Sequence, residues 1–197
     1  MDKYLFFSIL ASIIYIFGAI PYVYHSFKND VVPHPFTWGV WFILISINFY
    51  GVLVSEVGII PLIPISIRLF FILLGTALGI YFIRKIKISF FDYFCLFLAL
   101  MCIFIFYIFG LSDAILATIF VDMLVVAPTI KKIYLNPYSE DLLVWITTMF
   151  TQVFLFLSIQ NHTFDNSSFW IYMFFENLFV AIFIFFRRRF IKLPVGK

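Results

Sequence analysis

The chain has 197 residues, of which 64% are hydrophobic and only 12% charged, with a formal net charge of +3. A soluble domain carries roughly 45–50% apolar and about 25% charged residues, and its surface helices keep one polar face. Long stretches here are apolar all round, so a water-soluble globular fold is excluded and lipid is the solvent for most of the chain.

The first apolar run, 4–26, follows Lys3. It is longer than the core of a signal peptide and no small-x-small site closes it, so it reads as a retained first helix. Further apolar stretches follow at 36–54, 59–83, 91–110, 112–131, 142–160 and 168–187. Each can span about 30 Å of hydrocarbon at 1.5 Å per residue. The pattern predicts an all-α membrane protein with seven transmembrane helices joined by short polar loops. The least marked boundary is Gly110 to Asp113, and six spans with one re-entrant piece stays open as an alternative. Cys95 and Cys102 share a helix face but stand roughly 10 Å apart along the axis, too far for a disulfide.

Lys and Arg orient the chain. Lys28, Arg84, Lys85, Lys87, Lys131, Lys132, Arg187, Arg188, Arg189, Lys192 and Lys197 fall on one side of a seven-span layout, and only Lys3 on the other. The positive-inside rule then sets the N-terminus outside and the C-terminus in the cytoplasm. A bacterial inner membrane is the expected location, and Arg187–Arg189 read as a cytoplasmic anchor.

Two segments compare without a gap, PYVYHSFKNDVVPHPFTW and PTIKKIYLNPYSEDLLVW. Pro21 falls on Pro128, Phe27 on Tyr134, Asn29 on Asn136 and Trp38 on Trp145. Each segment reads as a proline near a helix end, a basic loop, and a helix with an early Trp. The expected organisation is a 3+1+3 arrangement: a first three-helix repeat over 1–87, a linker helix over 88–111, a second three-helix repeat over 112–190, and a cytoplasmic tail over 191–197. An odd linker helix lets two such repeats share one orientation in the membrane.

On these features the chain resembles the PQ-loop superfamily, which includes the SWEET sugar transporters and lysosomal amino-acid exporters. The prolines of the family's Pro-Gln motif are present at Pro21 and Pro128, while Tyr22 and Thr129 stand where the family has Gln. Tyr50–Gly51, followed by a short loop and the IIPLIP start of the third helix, also looks like bacterial members. The resemblance implies a transporter of sugars or amino acids. SWEET-type members carry a sugar-binding Asn in the third and seventh helices. Asn177 matches it in the seventh, and the third offers Ser66 or Arg68.

Arg68, Asp122 and Glu176 lie near the centres of apolar spans. Each costs roughly 2.5–3.5 kcal/mol if it faces lipid unpaired, so they are expected to face the bundle interior and one another. One Arg against two acids leaves an acid with no cation of its own, a candidate proton carrier. Arg68 and Glu176 fall at nearly equivalent points of the two repeats, and an Arg suits a carboxylate better than a neutral hexose. The alternative is a buried ion pair that only fixes helix packing. Asn48, Gln152, Thr147, Thr148 and Thr151 are further polar residues within spans, with helix-to-helix hydrogen bonding as the simpler role for each. Asn48 and Gln152 join Arg68, Glu176, Asn177 and Asp122 as candidate substrate contacts. Trp38 and Trp145 read as an interfacial aromatic belt. Pro21 and Pro128 are candidate hinges, or simply helix ends.

No metal-ligand spacing connects His25, His34 and His162, and the sequons at Asn161 and Asn166 lie too close to the membrane to be used. No span holds a lysine for a retinal Schiff base. No cofactor, nucleic-acid partner or enzymatic activity is expected. The leading expectation is alternating-access transport of a small polar solute, a sugar or an amino acid or other carboxylate, with proton coupling and self-association open. The other is a KDEL-receptor-like sorting or signalling receptor that binds a peptide or small ligand without moving it.

Overall fold

In lipid, every main-chain N–H and C=O must find its partner within the segment, and a helix does this. The computed structural model describes residues 2–28, 33–54, 58–85, 88–138 and 140–191. Asn29, Lys87, Lys192 and Lys197, which entered the comparison of repeats and the charge count, lie outside the described residues. Among the described residues, seven α-helices form: α1 (Lys3–Phe27), α2 (Pro35–Val54), α3 (Leu62–Tyr81), α4 (Phe90–Phe109), α5 (Leu111–Leu135), α6 (Leu142–Ser158) and α7 (Phe164–Phe190). Among the described residues no strand forms, and six of the helices are long and apolar enough to cross a membrane, consistent with an integral membrane protein. The seventh, α6, has 17 residues and reaches about 26 Å, a little under the hydrocarbon thickness.

Helix ends fall where local chemistry stops or starts them. The Asp2 carboxylate accepts the Tyr4 N–H at 3.2 Å, the Asp141 carboxylate accepts the Leu143 N–H at 2.9 Å, and Asn166 Oδ1 accepts the Thr163 N–H at 3.0 Å. Each satisfies a main-chain donor that the first turn leaves free. The boundary between α4 and α5 is a single residue, Gly110, with φ of 102°. A side chain resists that conformation, which is why so short a break suffices. α5 runs past the end of its apolar stretch at 131 to Leu135. Pro21 stands inside α1, as the apolar stretch 4–26 has it, which sets aside the reading of Pro21 as a helix end. Cys95 and Cys102 are both free.

α3 packs on α1 and α2, and α7 packs on α5 and α6. α1 also lies along α6, α2 touches α5 and α7, and α4 rests on α2 and α5. An apolar cluster with Ala11, Val52, Ile65, Ile115, Ile159, Phe169 and Trp170 at its centre fills one end of the bundle. That end holds the start of α1 and the loops before α3 and α7. The opposite end carries Arg84, Lys85 and Arg187–Arg189 and is called the basic end below. The outside is apolar as lipid requires: Phe17, Phe70, Phe120 and Phe175 are 60–64% exposed.

Helices approach most closely where glycine removes the side chain. A Cβ on Gly79 of α3 would meet main-chain atoms, Pro33 O and Pro35 N, both at 2.8 Å, whereas one on Gly39 would meet only Thr76 Cγ2 at 3.9 Å. Main chain cannot rotate aside. Gly79→Ala is therefore expected to destabilise the protein by about 1–3 kcal/mol, and Gly39→Ala to leave it equal or stabilise it by up to about 1 kcal/mol through helix propensity. Thermal unfolding followed by helical circular dichroism checks this. Equal midpoints for the two variants would contradict the close approach of α3 to the loop before α2.

Candidate functional site

Within the helix bundle lies a cavity of about 610 Å³ that runs from the basic end into the centre of the bundle. Its floor carries Arg68 of α3 with Glu176 and Asn177 of α7. Tyr15 and Tyr22 of α1, Trp38 and Trp41 of α2, and Trp145 and Thr148 of α6 line its sides, and His34, Ser89, Asp92, Glu140 and Asp141 stand at its mouth. Beyond the floor the apolar cluster closes the bundle. Among the described residues, those that line the cavity come from the basic end and the middle of the bundle, and none from the end that the apolar cluster fills.

The floor is a charged group held in an apolar frame. Arg68 is 6% exposed, and its Nε and Nη1 have no hydrogen-bond partner among the described residues. Its guanidinium carbon lies 5.9 Å from the centre of the Tyr15 ring, a cation–π arrangement. Asp122 and Glu176 both stand within its electrostatic reach. Among the described residues neither acid closes an ion pair with it, so the expected direct pair is replaced by a looser cluster. Asp122 of α5 is fully buried behind the cavity wall, where its Oδ1 accepts the Trp41 indole N–H at 2.9 Å. Glu176 lies beside Asp122, and its Oε1 is buried without a partner. Tyr172 completes the group from α7, next to Asp122.

The other sequence candidates divide. Asn177 lines the cavity, and its Nδ2 donates to Met173 O at 2.6 Å within its own helix. Asn48 does not reach the cavity: its Nδ2 donates to Leu44 O at 2.8 Å and to Thr118 Oγ1 at 3.2 Å, tying α2 to α5. Gln152 is 1% exposed and also outside the lining. Thr147 and Thr151 bond main-chain oxygens one turn back in α6. Pro21 sits between the cavity-lining residues Ala19 and Tyr22, and position 128 precedes Thr129, which lines the opposite wall.

Two expectations are corrected. Trp38 and Trp145 do not form a lipid-facing belt, because both turn into the cavity wall. Trp145 is 8% exposed, and the Trp38 ring fills the space left by Gly75. Arg187 and Arg188 are not lipid anchors alone. Arg188 donates to Pro137 O at 3.1 Å and to Glu140 O at 2.9 Å, and Arg187 donates to Tyr134 O while lying over its ring. Together they clasp the loop between α5 and α6 at the mouth.

Sequence reasoning did not single out Tyr15, Trp41, Asp92 or Tyr172, and it named Tyr22 only as the residue in place of the family's Gln. A signal for part of the site was present: His34, Thr37, Trp38 and Trp41 are spaced i, i+3, i+4, i+7 and so fall on one helix face. At the mouth, His34 Nε2 and Asp92 Oδ1 are 3.8 Å apart, linking the starts of α2 and α4. Among the described residues no three metal-ligating side chains converge. No protein-family model, curated protein or solved structure matches the chain. Fold and site together define an all-helical bundle, consistent with an integral membrane protein, with an aromatic-walled cavity over a charged floor.

Trp41→Phe keeps a ring in the wall and removes the donor to Asp122. A buried acceptor left without its donor costs about 1–3 kcal/mol, so the variant is expected to unfold at lower temperature than the parent. An unchanged midpoint would contradict a structural role for the Trp41–Asp122 bond.

Proposed function

We propose that the chain is a membrane transporter that moves a small polar solute by alternating access. The observation that carries this reading is the cavity itself: it runs in from the basic end and stops at a charged floor at mid-bundle, with apolar packing beyond. A binding site at the midplane with access from one side at a time is the arrangement secondary transporters use.

In this reading α1–α3 and α5–α7 are the two three-helix units, residues 1–87 and 112–190, and α4 is the linker. Matching contacts support the pairing, since α3 packs on α1 and α2 as α7 packs on α5 and α6. The offset that carries Pro21 onto Pro128 also carries Tyr15 onto Asp122. Tyr15 faces Arg68 in the first unit, and Asp122 faces Glu176 in the second. The same offset brings Arg68 to within one residue of Glu176, so the floor draws on two nearly equivalent positions per unit, filled with different chemistry. This supports the resemblance to the PQ-loop superfamily as a proposal about descent.

The basic end faces the cytoplasm in this reading, so the cavity is an inward-open state. Rocking of the units closes the mouth and parts the apolar cluster. Pro21 and Pro128 are the flexing points, since a proline removes one main-chain hydrogen bond from its helix. Arg68 has two acids in reach, and the second supplies a proton carrier for coupling.

Uptake into proteoliposomes, screened across sugars and amino acids, tests the proposal. Arg68→Ala and Glu176→Gln are each expected to lower uptake of the transported solute by roughly tenfold or more, because each strands a buried charge. Parent-level uptake in both variants would sink the floor as the substrate site.

A further inference from the structure

The floor presents two opposite charges that are near each other and not joined. Arg68 has two buried nitrogens without hydrogen-bond partners, Glu176 has one buried oxygen without a partner, and both side chains line the cavity. Asp122 is not among the residues that line the cavity; it lies behind the wall beside Glu176, with its Oδ1 accepting the Trp41 N–H and its Oδ2 buried without a partner. The acids at the mouth are all engaged, Glu140 among them. Asp92 accepts the Ser89 N–H at 2.6 Å and pairs with His34, and Asp141 caps α6. The charges open to a ligand are therefore those of Arg68 and Glu176.

The walls are of a different kind. The Tyr22 and Trp38 rings lie 5.2 Å apart, and Trp38 and Trp41 5.7 Å apart, so three rings line the path from mouth to floor. Trp145 adds a fourth from α6. A volume of about 610 Å³ is far more than the smallest charged solutes fill, and an apolar wall left wet contributes nothing to binding.

We infer that the cavity takes a zwitterionic amino acid with a bulky apolar or aromatic side chain. Its carboxylate meets Arg68, its ammonium meets Glu176, and its side chain lies along Tyr22, Trp38 and Trp41. The inference rests on the reading of the cavity as a substrate site but not on net flux through it. A neutral hexose would bring no charge of its own to either Arg68 or Glu176. A simple carboxylate would bring a like charge to Glu176, and a simple amine would bring one to Arg68. Only a ligand with both groups satisfies both, and a site built to bond a group rejects the analogue that lacks it.

Equilibrium binding to the full chain in lipid nanodiscs, by titration calorimetry, tests this with a ligand series. Phenylalanine is expected to bind. Phenethylamine, 3-phenylpropionate and glycine, which lack the carboxylate, the ammonium and the side chain in turn, are each expected to bind roughly tenfold more weakly or worse. Glucose is expected not to displace phenylalanine. Glu176→Gln is expected to narrow the gap between phenylalanine and 3-phenylpropionate, a change in preference that general damage would not produce. The series on the unaltered chain decides the matter if that variant fails to fold. Glucose binding with no binding of phenylalanine, equal binding of phenylalanine and 3-phenylpropionate, or no binding by any of the five overturns the inference. Proteoliposome flux separates the two proposals. Phenylalanine bound but not moved keeps the inference and sinks the transporter. A sugar moved through the floor site keeps the transporter and sinks the inference.

Discussion

A guanidinium buried in a bundle that lies in lipid is the constraint on which the rest of this structure turns. Arg68 cannot lose its proton, and left unpaired at mid-membrane it costs roughly 2.5–3.5 kcal/mol on insertion scales. The chain surrounds it from three directions. Tyr15 offers a ring face from α1, and Asp122 and Glu176 bring negative charge from α5 and α7. The fourth direction is the cavity, which leads to the basic end. A closed ion pair would be a stable plug. The looser cluster leaves hydrogen-bonding capacity at the floor, and that capacity is what a ligand can use.

The walls follow from this floor. α2 presents Thr37, Trp38 and Trp41 on one face, and these line the cavity together with His34 just before the helix. Trp41 does two things at once: its ring forms wall, and its N–H holds Asp122 in place behind the wall. The loop between α5 and α6 edges the mouth and is tied down by Arg187 and Arg188 through its own carbonyls. On the α3 side, Gly79 serves the corresponding end by letting main chain approach main chain. The two halves of the mouth are thus fastened by different chemistry, one by charged hydrogen bonds and one by close packing.

The helices were legible because spanning length and apolarity are one-dimensional properties. The break at Gly110 was the least marked boundary, because a single glycine at positive φ ends one helix and lets the next begin. The last turn of α5, to Leu135, was not legible, because the apolar stretch stops at Lys131 and Lys132 while the helix continues beyond them. The ionisable residues were legible too, as charges in lipid must turn inward. What hydropathy does not report is which way an apolar or aromatic side chain faces when both lipid and core are apolar. Trp38 and Trp145 therefore read as a belt and prove to be wall. Asn48 and Gln152 read as equals of Asn177, yet they sit in packed parts of the bundle away from the cavity. Asp92 and His34 meet only because α2 and α4 begin side by side, which no local pattern announces.

The central claim is that mid-bundle residues are reached from the basic end through an open path. Thr148 lines that path on α6, and the native Cys95 and Cys102 are buried in α4. A chain carrying Thr148→Cys, with both native cysteines replaced by alanine, can be labelled in sealed vesicles with a membrane-impermeant thiol reagent. The account predicts labelling when reagent is supplied on the side that carries Arg84 and Lys85, slowed by a bound ligand. No labelling from that side, or labelling only from the side that carries Lys3, would contradict it.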